Sequence, residues 1–185
     1  MIDFIKTCFP DFLPVYNQYP NNVQRWDAIR YLILYHYGGL YADMDYECFA
    51  PLDPLLHNKS CCMGLEPVAH AVEYKKPFIV GNALMASSPS HSYFALIIED
   101  MIKNKDTVFS NNKIRQILES TGPFLTTRIY NAYPEKEKVR LLSDELIAPI
   151  SLQEVRLLSS GNQNEKILNK LEKAYAVHYF MGSWH

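Results

Sequence analysis

Gly38-Gly39 separates two incompatible backbone patterns, and that junction constrains the fold more than any other part of the sequence. Upstream, Val23 to Tyr37 reads as a helix. Trp26, Ile29, Ile33 and Tyr37 recur at spacings of three and four, and Leu34 widens the stripe. Asn22 suits the N-cap. Gly38 stands where a left-handed C-terminal cap is expected, because glycine has no Cβ to clash there. Downstream, Leu40-Tyr41-Ala42 reads as a short strand delivering Asp43-Met44-Asp45. In a regular strand, residues two apart share a face, so both carboxylates would point the same way. Hard divalent cations take oxygen ligands, and a diphosphate needs its charge neutralised. Helix end, strand and paired acids together suit a metal–diphosphate complex; the competing reading is a solvated acidic turn.

The rest of the chain alternates irregularly between helical and extended patterns. Met1 to Cys8 reads as a short helix cut by Pro10, and Pro10, Pro14 and Pro20 punctuate an irregular stretch. Ser60 to Leu65, Pro77 to Val80, Val139 to Leu142 and Ala174 to Phe180 read as strands, and 82–87 is a short apolar segment. Pro89 can open a helix to about Lys103, with Tyr93-Phe94, Ile97-Ile98 and Met101 on one side. Residues 112–119, 123–132 and 164–172 are helical by pattern, whereas Ala69 to Lys76 and Ser159 to Glu165 read as loops. This predicts one α/β domain over residues 1–185, with a mixed sheet flanked by helices.

Composition excludes several classes. A formal charge of −2 offers no basic stripe for nucleic acid, since Lys136, Lys138 and Arg140 are offset by Glu135 and Glu137. Cys8, Cys48, Cys61 and Cys62 have neither zinc-site nor disulfide-framework spacing and are expected as buried reduced thiols. No apolar run reaches the roughly 20 residues needed to span a bilayer. With no visible signal peptide either, the chain reads as soluble, with a cytoplasmic or cytoplasmic-face location expected. An EF-hand fails because Cys48 and Pro54 stand where Gly and Glu are required. An aspartyl-nucleophile phosphatase fails on its short preceding strand and on Glu47, where Thr or Val is expected. Dinucleotide, Walker and serine-hydrolase glycine motifs are absent from the sequence.

Three further groups are chemically suggestive. Asp27 and Arg30, three apart on the helix and close to the side that should pack, are either an intrahelical ion pair of small value or an acceptor–donor pair facing a polar ligand such as sugar hydroxyls. His178 sits in the apolar run Tyr175 to Phe180, where histidines are usually satisfied core residues. The adjoining Gly182-Ser183-Trp184 supplies amides, a hydroxyl and an indole N–H suited to phosphate, and a neutral imidazole suits manganese. Gly81-Asn82 is either a bulge or a place of close ligand approach.

In their order along the chain, these residues resemble a known family. The stretches are Phe9-Pro10-x-Phe12-Leu13-Pro14-x-Tyr16, Gln24-Arg25-x-Asp27-Ala28-x-Arg30-Tyr31 and Leu34-Tyr35-x-Tyr37-Gly38-Gly39-x-Tyr41-x-Asp43-x-Asp45. Pro51 to Leu56, Gly64-Leu65-Glu66-Pro67, Gly81-Asn82-Ala83, Thr121-Gly122-Pro123 and His178 with Ser183-Trp184 continue the series. Together they resemble the DXD-containing sugar transferases, the family of the yeast initiating α-1,6-mannosyltransferases and mannosyl-inositol-phosphoceramide synthases. The resemblance implies a GT-A-like fold, a UDP- or GDP-linked sugar donor, Mn²⁺ or Mg²⁺, and transfer with retention to a glycan or glycolipid acceptor. It implies peripheral membrane association as well.

By position, Asp27, Arg30 and Tyr41 would hold the donor, and Asn82 would lie near the sugar or acceptor. Asp43 and Asp45 would be the catalytic acid pair binding ribose and metal, His178 a further metal ligand, and Ser183 and Trp184 contacts to the diphosphate. Family members begin with an apolar strand before the Phe-Pro motif, so an N-terminally shortened fold is expected here. The alternative function is a non-catalytic glycan- or partner-binding remnant of such a transferase.

Overall fold

The computed structural model of the protein describes residues 1–161 and 164–182. Helices α1 (Ile2–Cys8) and α2 (Leu13–Gln18), with a 3-10 turn between them, lead into the long α3 (Asn22–Tyr37). Then come β1 (Gly39–Ala42), β2 (Tyr46–Cys48), α4 (Asp53–Leu56), β3 (Cys61–Leu65), α5 (Val68–Glu73) and β4 (Val80–Ser87). Helices α6 (Ser92–Lys103), α7 (Lys113–Ser120) and α8 (Pro123–Ala132) precede β5 (Arg140–Leu142). Short helices α9 (Asp144–Ile147), α10 (Leu152–Ser159) and α11 (Glu165–Leu171) lead to β6 (Ala176–His178). The main sheet has order β1-β4-β3-β5, antiparallel except for the parallel β3–β5 pair, and β2 pairs antiparallel with β6 in a separate ribbon. The expected mixed α/β sheet flanked by helices is therefore present.

On one face of the sheet, α3, α6 and α8 bury a core around Tyr31, Leu32, Met63, Met85, Tyr93, Phe94 and Leu125. Each such side chain contributes roughly 1.5–3 kcal/mol by leaving water. On the other face, Cys62 and Leu84 pack with Leu142, Ile147 and the partly buried Tyr46. The four cysteines are free thiols; Cys61 and Cys62 are buried as expected, whereas Cys48 is exposed and Cys8 partly so.

Helix α6 buries the stripe its sequence predicts: Tyr93, Phe94, Ile97, Ile98 and Met101. Helix α3 does not. Trp26, Ile33 and Tyr37 are 46%, 41% and 64% exposed, and of the expected stripe only Ile29 and Leu34 are buried. The inward face instead carries Gln24, Asp27, Ala28, Arg30, Tyr31 and Leu32. Two stripes compete on this helix. The polar one goes inward because its hydrogen-bonding groups all find partners there, as buried polar groups must. The N-cap is Asn21, one residue earlier than expected, and its N–H donates to Gln24 Oε1 at 3.3 Å.

Gly38 ends α3 with φ +68° and ψ −158°, a conformation essentially reserved for glycine rather than the left-handed helical cap expected. A Cβ there would lie 2.7 Å from the Ser87 carbonyl oxygen and from Pro89 Cδ. The helix-to-strand junction thus works by bringing bare backbone against the end of β4.

Other differences have local causes. The segment expected as a loop at 69–76 contains α5, whose Val68 and Val72 are exposed and whose one buried residue is Ala71, so no apolar stripe marks it. The two segments expected at 77–80 and 82–87 are one strand, Val80–Ser87. Strand β2 has three residues and depends on pairing with β6, more than a hundred positions away, which local pattern cannot reveal.

Candidate active site

The junction after α3 sets β1 antiparallel to β4, with Tyr41 opposite Met85 and Ala42 opposite Leu84. Asp43 N–H continues the ladder to the Ala83 carbonyl at 2.8 Å. The chain then turns: Tyr46 N–H donates back to the Asp43 carbonyl at 3.1 Å, and Met44 is fully exposed at the tip. Asp43 and Asp45 therefore converge through a tight turn, not through the strand alternation expected from their spacing.

Asp43 faces α3. Arg30 Nη1 lies 3.1 Å from Asp43 Oδ1 while its Nη2 lies 3.2 Å from Asp27 Oδ1, so one guanidinium bridges two carboxylates. Arg30 Nη1 also donates to the Asn82 carbonyl at 2.9 Å, and the guanidinium lies over the Tyr41 ring, 4.7 Å from its centroid. Tyr41 hydroxyl donates to Asp43 Oδ1 at 2.5 Å. Asn82 Nδ2 donates to Asp27 Oδ1 at 3.1 Å and to the Tyr31 hydroxyl at 3.0 Å. Thr121 Oγ1 donates to Asp27 Oδ2 at 2.9 Å. Asp27, Arg30, Tyr41, Asp43 and Asn82, scattered in sequence, form one hydrogen-bonded cluster. Asp27 and Arg30 thus form the intrahelical ion pair that their spacing allows, but the pair is buried, so the small value of an exposed pair does not apply to it.

This cluster perturbs Asp27. Burial above all pushes its carboxyl up from 3.8 to about 6, and Asp43 adds to the rise, against the opposing pull of Arg30, Thr121 and Asn82. The folded chain then holds more protons at this group than the unfolded chain between about pH 4 and pH 6. Its contribution to stability is complete below pH 4 and lost as pH rises through 6. Relative to wild type, Asp27→Asn should gain up to about 3 kcal/mol in unfolding free energy between pH 4 and pH 7. Urea melts of the two proteins across that range measure the difference. Parallel pH profiles would show that Asp27 titrates normally.

Asp45 faces the β2–β6 ribbon. The register sets Tyr46 opposite His178, with the two rings stacked at 4.5 Å and 5°. His178 Nε2 lies 3.0 Å from Asp45 Oδ1. Tyr179 N–H donates to the Asp45 carbonyl at 3.0 Å and Met181 N–H to Asp45 Oδ2 at 2.8 Å. Phe180 has φ +49°, an uncommon value for a bulky residue, and this bend turns Met181 toward the carboxylate. Asp43, Asp45 and His178 each offer a ligand atom, all within 4.8 Å of one another. Two hard carboxylate oxygens and one imidazole nitrogen at that spacing fit a divalent cation of the manganese or magnesium kind. Ser183 and Trp184 lie outside the described residues.

Two partners in the cluster carry no role in the sequence reading. Thr121 is fully buried and holds Asp27; Tyr31 is fully buried and connects Asn82 to the Thr121 carbonyl at 2.7 Å. A Thr before Gly-Pro is visible as part of the family pattern, but a Tyr in a helical run resembles any core residue.

Comparison with known proteins shows the family. Residues 1–61 match the family described as "Glycosyltransferase sugar-binding region containing DXD motif". Inositol phosphoceramide mannosyltransferase 2 of Schizosaccharomyces pombe is 39% identical over 131 residues, covering 71% of this chain and 34% of that protein. Mannosyl phosphorylinositol ceramide synthase SUR1 of Saccharomyces cerevisiae is 34% identical over 145 residues, covering 76% of this chain and 35% of that one. The chain thus spans about a third of the length of these relatives. A solved structure, the PaToxG glycosyltransferase, aligns over 80% of this chain and 40% of its own at 19% identity, with a TM-score of 0.39, too slight a likeness to build on. The sequence matches suffice: this chain belongs to the DXD-motif glycosyltransferase family.

Proposed function

We propose that the protein transfers a hexose, of the mannose class named in its relatives, from a nucleotide-sugar donor to a glycan or glycolipid hydroxyl, with retention at the anomeric carbon. The observation that carries this reading is the convergence of Asp43, Asp45 and His178 beside the Arg30-centred cluster. Asp43, Asp45 and His178 would hold Mn²⁺ or Mg²⁺, which when bound neutralises charge on the donor diphosphate. The protein's own part is positioning and a fixed field. Arg30 is locked by two carboxylates, so its charge is in place before a donor arrives. Asn82 and Asp27 are hydrogen-bonded to each other and to Arg30, and would orient that charge. Tyr41 presents an aromatic face beneath Arg30 and a hydroxyl on Asp43. Ser183 and Trp184 remain proposed diphosphate contacts.

A glycolipid acceptor would bring the site to a membrane surface by peripheral association. Among the described residues, no helix is long and apolar enough to cross a membrane.

The test is a thermal melt of the 185-residue chain with GDP or UDP, with Mn²⁺, and with both together. Saturation at about a hundred times Kd adds about 2.7 kcal/mol, which for a chain of this size is a Tm rise of roughly 5–10 °C. The rise should need nucleotide and metal together. No rise with either nucleotide would reject the reading, and donor turnover by the same chain would separate an enzyme from a binding remnant.

A further inference from the structure

Glu66 is a carboxylate that neither the donor cluster nor the core accounts for. It lies directly after β3, and its N–H donates to the Ile79 carbonyl at 2.9 Å, which brings it alongside the start of β4. Its Oε1 lies against Gly81, where a Cβ would come within 2.9 Å of it. Its Oε2 lies 3.1 Å from His70 Nδ1. Leu152 N–H donates to His70 Nε2 at 3.2 Å, so Nε2 is the bare nitrogen and Nδ1–H donates to Glu66. His70 is thus gripped at both ends and fixes one carboxylate oxygen. Oε1 has no hydrogen-bond partner among the described residues, yet it is not sealed from solvent.

Aromatic rings connect this carboxylate's partner His70 to the acid pair's partner His178. Phe180 lies 4.7 Å from His70 and 4.1 Å from His178, ring to ring, and Tyr46 stacks on His178. Burial first, then the charges of Glu66, Asp43 and Asp45, hold the Tyr46 phenol well above the usual tyrosine range. At the start of β4, Glu66 abuts Gly81, and Asn82, the next residue, reaches Asp27 and Tyr31. Asp27 has both oxygens occupied by Arg30, Asn82 and Thr121, whereas Glu66 keeps one without a partner among the described residues. An ionised carboxylate only accepts hydrogen bonds and repels a diphosphate. The reactant that suits it is an uncharged ring bearing hydroxyls.

We propose that Glu66 holds a ring hydroxyl of the acceptor, a sugar or cyclitol, and that His70 is its positioning residue. The proposal rests on the donor-site reading above. The test titrates the full chain, saturated with GDP and Mg²⁺, with methyl α-D-mannopyranoside and with myo-inositol, followed by ligand-observed NMR. One of the two probes should bind, and the nearly isosteric Glu66→Gln should weaken it about 10- to 100-fold, the value of a hydrogen bond to a charged group. GDP–Mg²⁺ affinity should stay within about twofold, since Glu66 is proposed to touch only the acceptor. His70→Ala should weaken the probe too, and His70→Asn, which restores a donor near Nδ1, should recover it. Unchanged probe binding in Glu66→Gln, loss of GDP–Mg²⁺ affinity along with it, or no binding of either probe to wild type would overturn the proposal. Failure of wild type to bind GDP–Mg²⁺ would move the same titrations to UDP–Mg²⁺, and failure with both nucleotides would bring down the donor-site reading, and this proposal with it.

Discussion

Asp45→Ala is expected to abolish the joint stabilisation by Mn²⁺ and nucleoside diphosphate and to lower sugar transfer about a thousandfold. Asp45 is one of three groups whose ligand atoms lie within 4.8 Å of one another, and its two oxygens also hold His178 Nε2 and Met181 N–H. Removing the carboxylate therefore deletes a ligand and releases a second one from its orientation. Loss of about 4 kcal/mol of electrostatic stabilisation at the reacting diphosphate corresponds to roughly three powers of ten in rate. The cost to folding should be small, about 1 kcal/mol, because the turn is partly exposed and the backbone bond from Tyr179 remains. Melting curves with and without the metal–nucleotide pair separate these effects. A variant that keeps the full Mn²⁺-dependent rise would remove Asp45 from the proposed metal site.

Arg30→Met should be the most destabilising single change in the site. The Arg30 and Asp27 side chains are only 9% and 7% exposed, and Arg30 also faces Asp43. A methionine keeps much of the volume but leaves Asp27 buried with its counter-charge gone. Breaking a buried pair in this way costs about 3–5 kcal/mol, or a Tm drop of roughly 6–20 °C for a chain of this size. Adding Asp27→Asn should recover part of that loss, because the orphaned charge is then removed. The double-mutant cycle reads the coupling directly. An Arg30→Met cost below 1 kcal/mol would mean that the bridge contributes little to the fold. Donor affinity should fall in both variants, since each disturbs the groups proposed to face the sugar.

Legibility in the sequence tracks the range of the interactions. Helix α6 depends on neighbours within a few residues and is readable, and Gly38 marks the end of α3, although the conformation it takes answers to Ser87 and Pro89 far along the chain. Helix α5 is not, because its apolar residues face outward. The inward face of α3 is easily misread because Trp26, Ile33 and Tyr37 make as regular a stripe as Asp27, Tyr31 and Leu34. Hydropathy favours the first; the partners that Asn82 and Thr121 supply from 52 to 94 positions away favour the second.

The sequence alone determined the kinds of groups present and their family: a helix that must stop at Gly38, an acid pair just after it, a distant histidine and an ordered set of motifs. Tertiary structure alone decided how they meet. It made the acid pair a turn, paired β2 with β6 so that His178 faces Asp45, and carried Asp27 and Arg30 inward. The reason is physical. A carboxylate or guanidinium is buried only where partners compensate its lost hydration, and those partners come from other strands and helices that close on it when the chain folds.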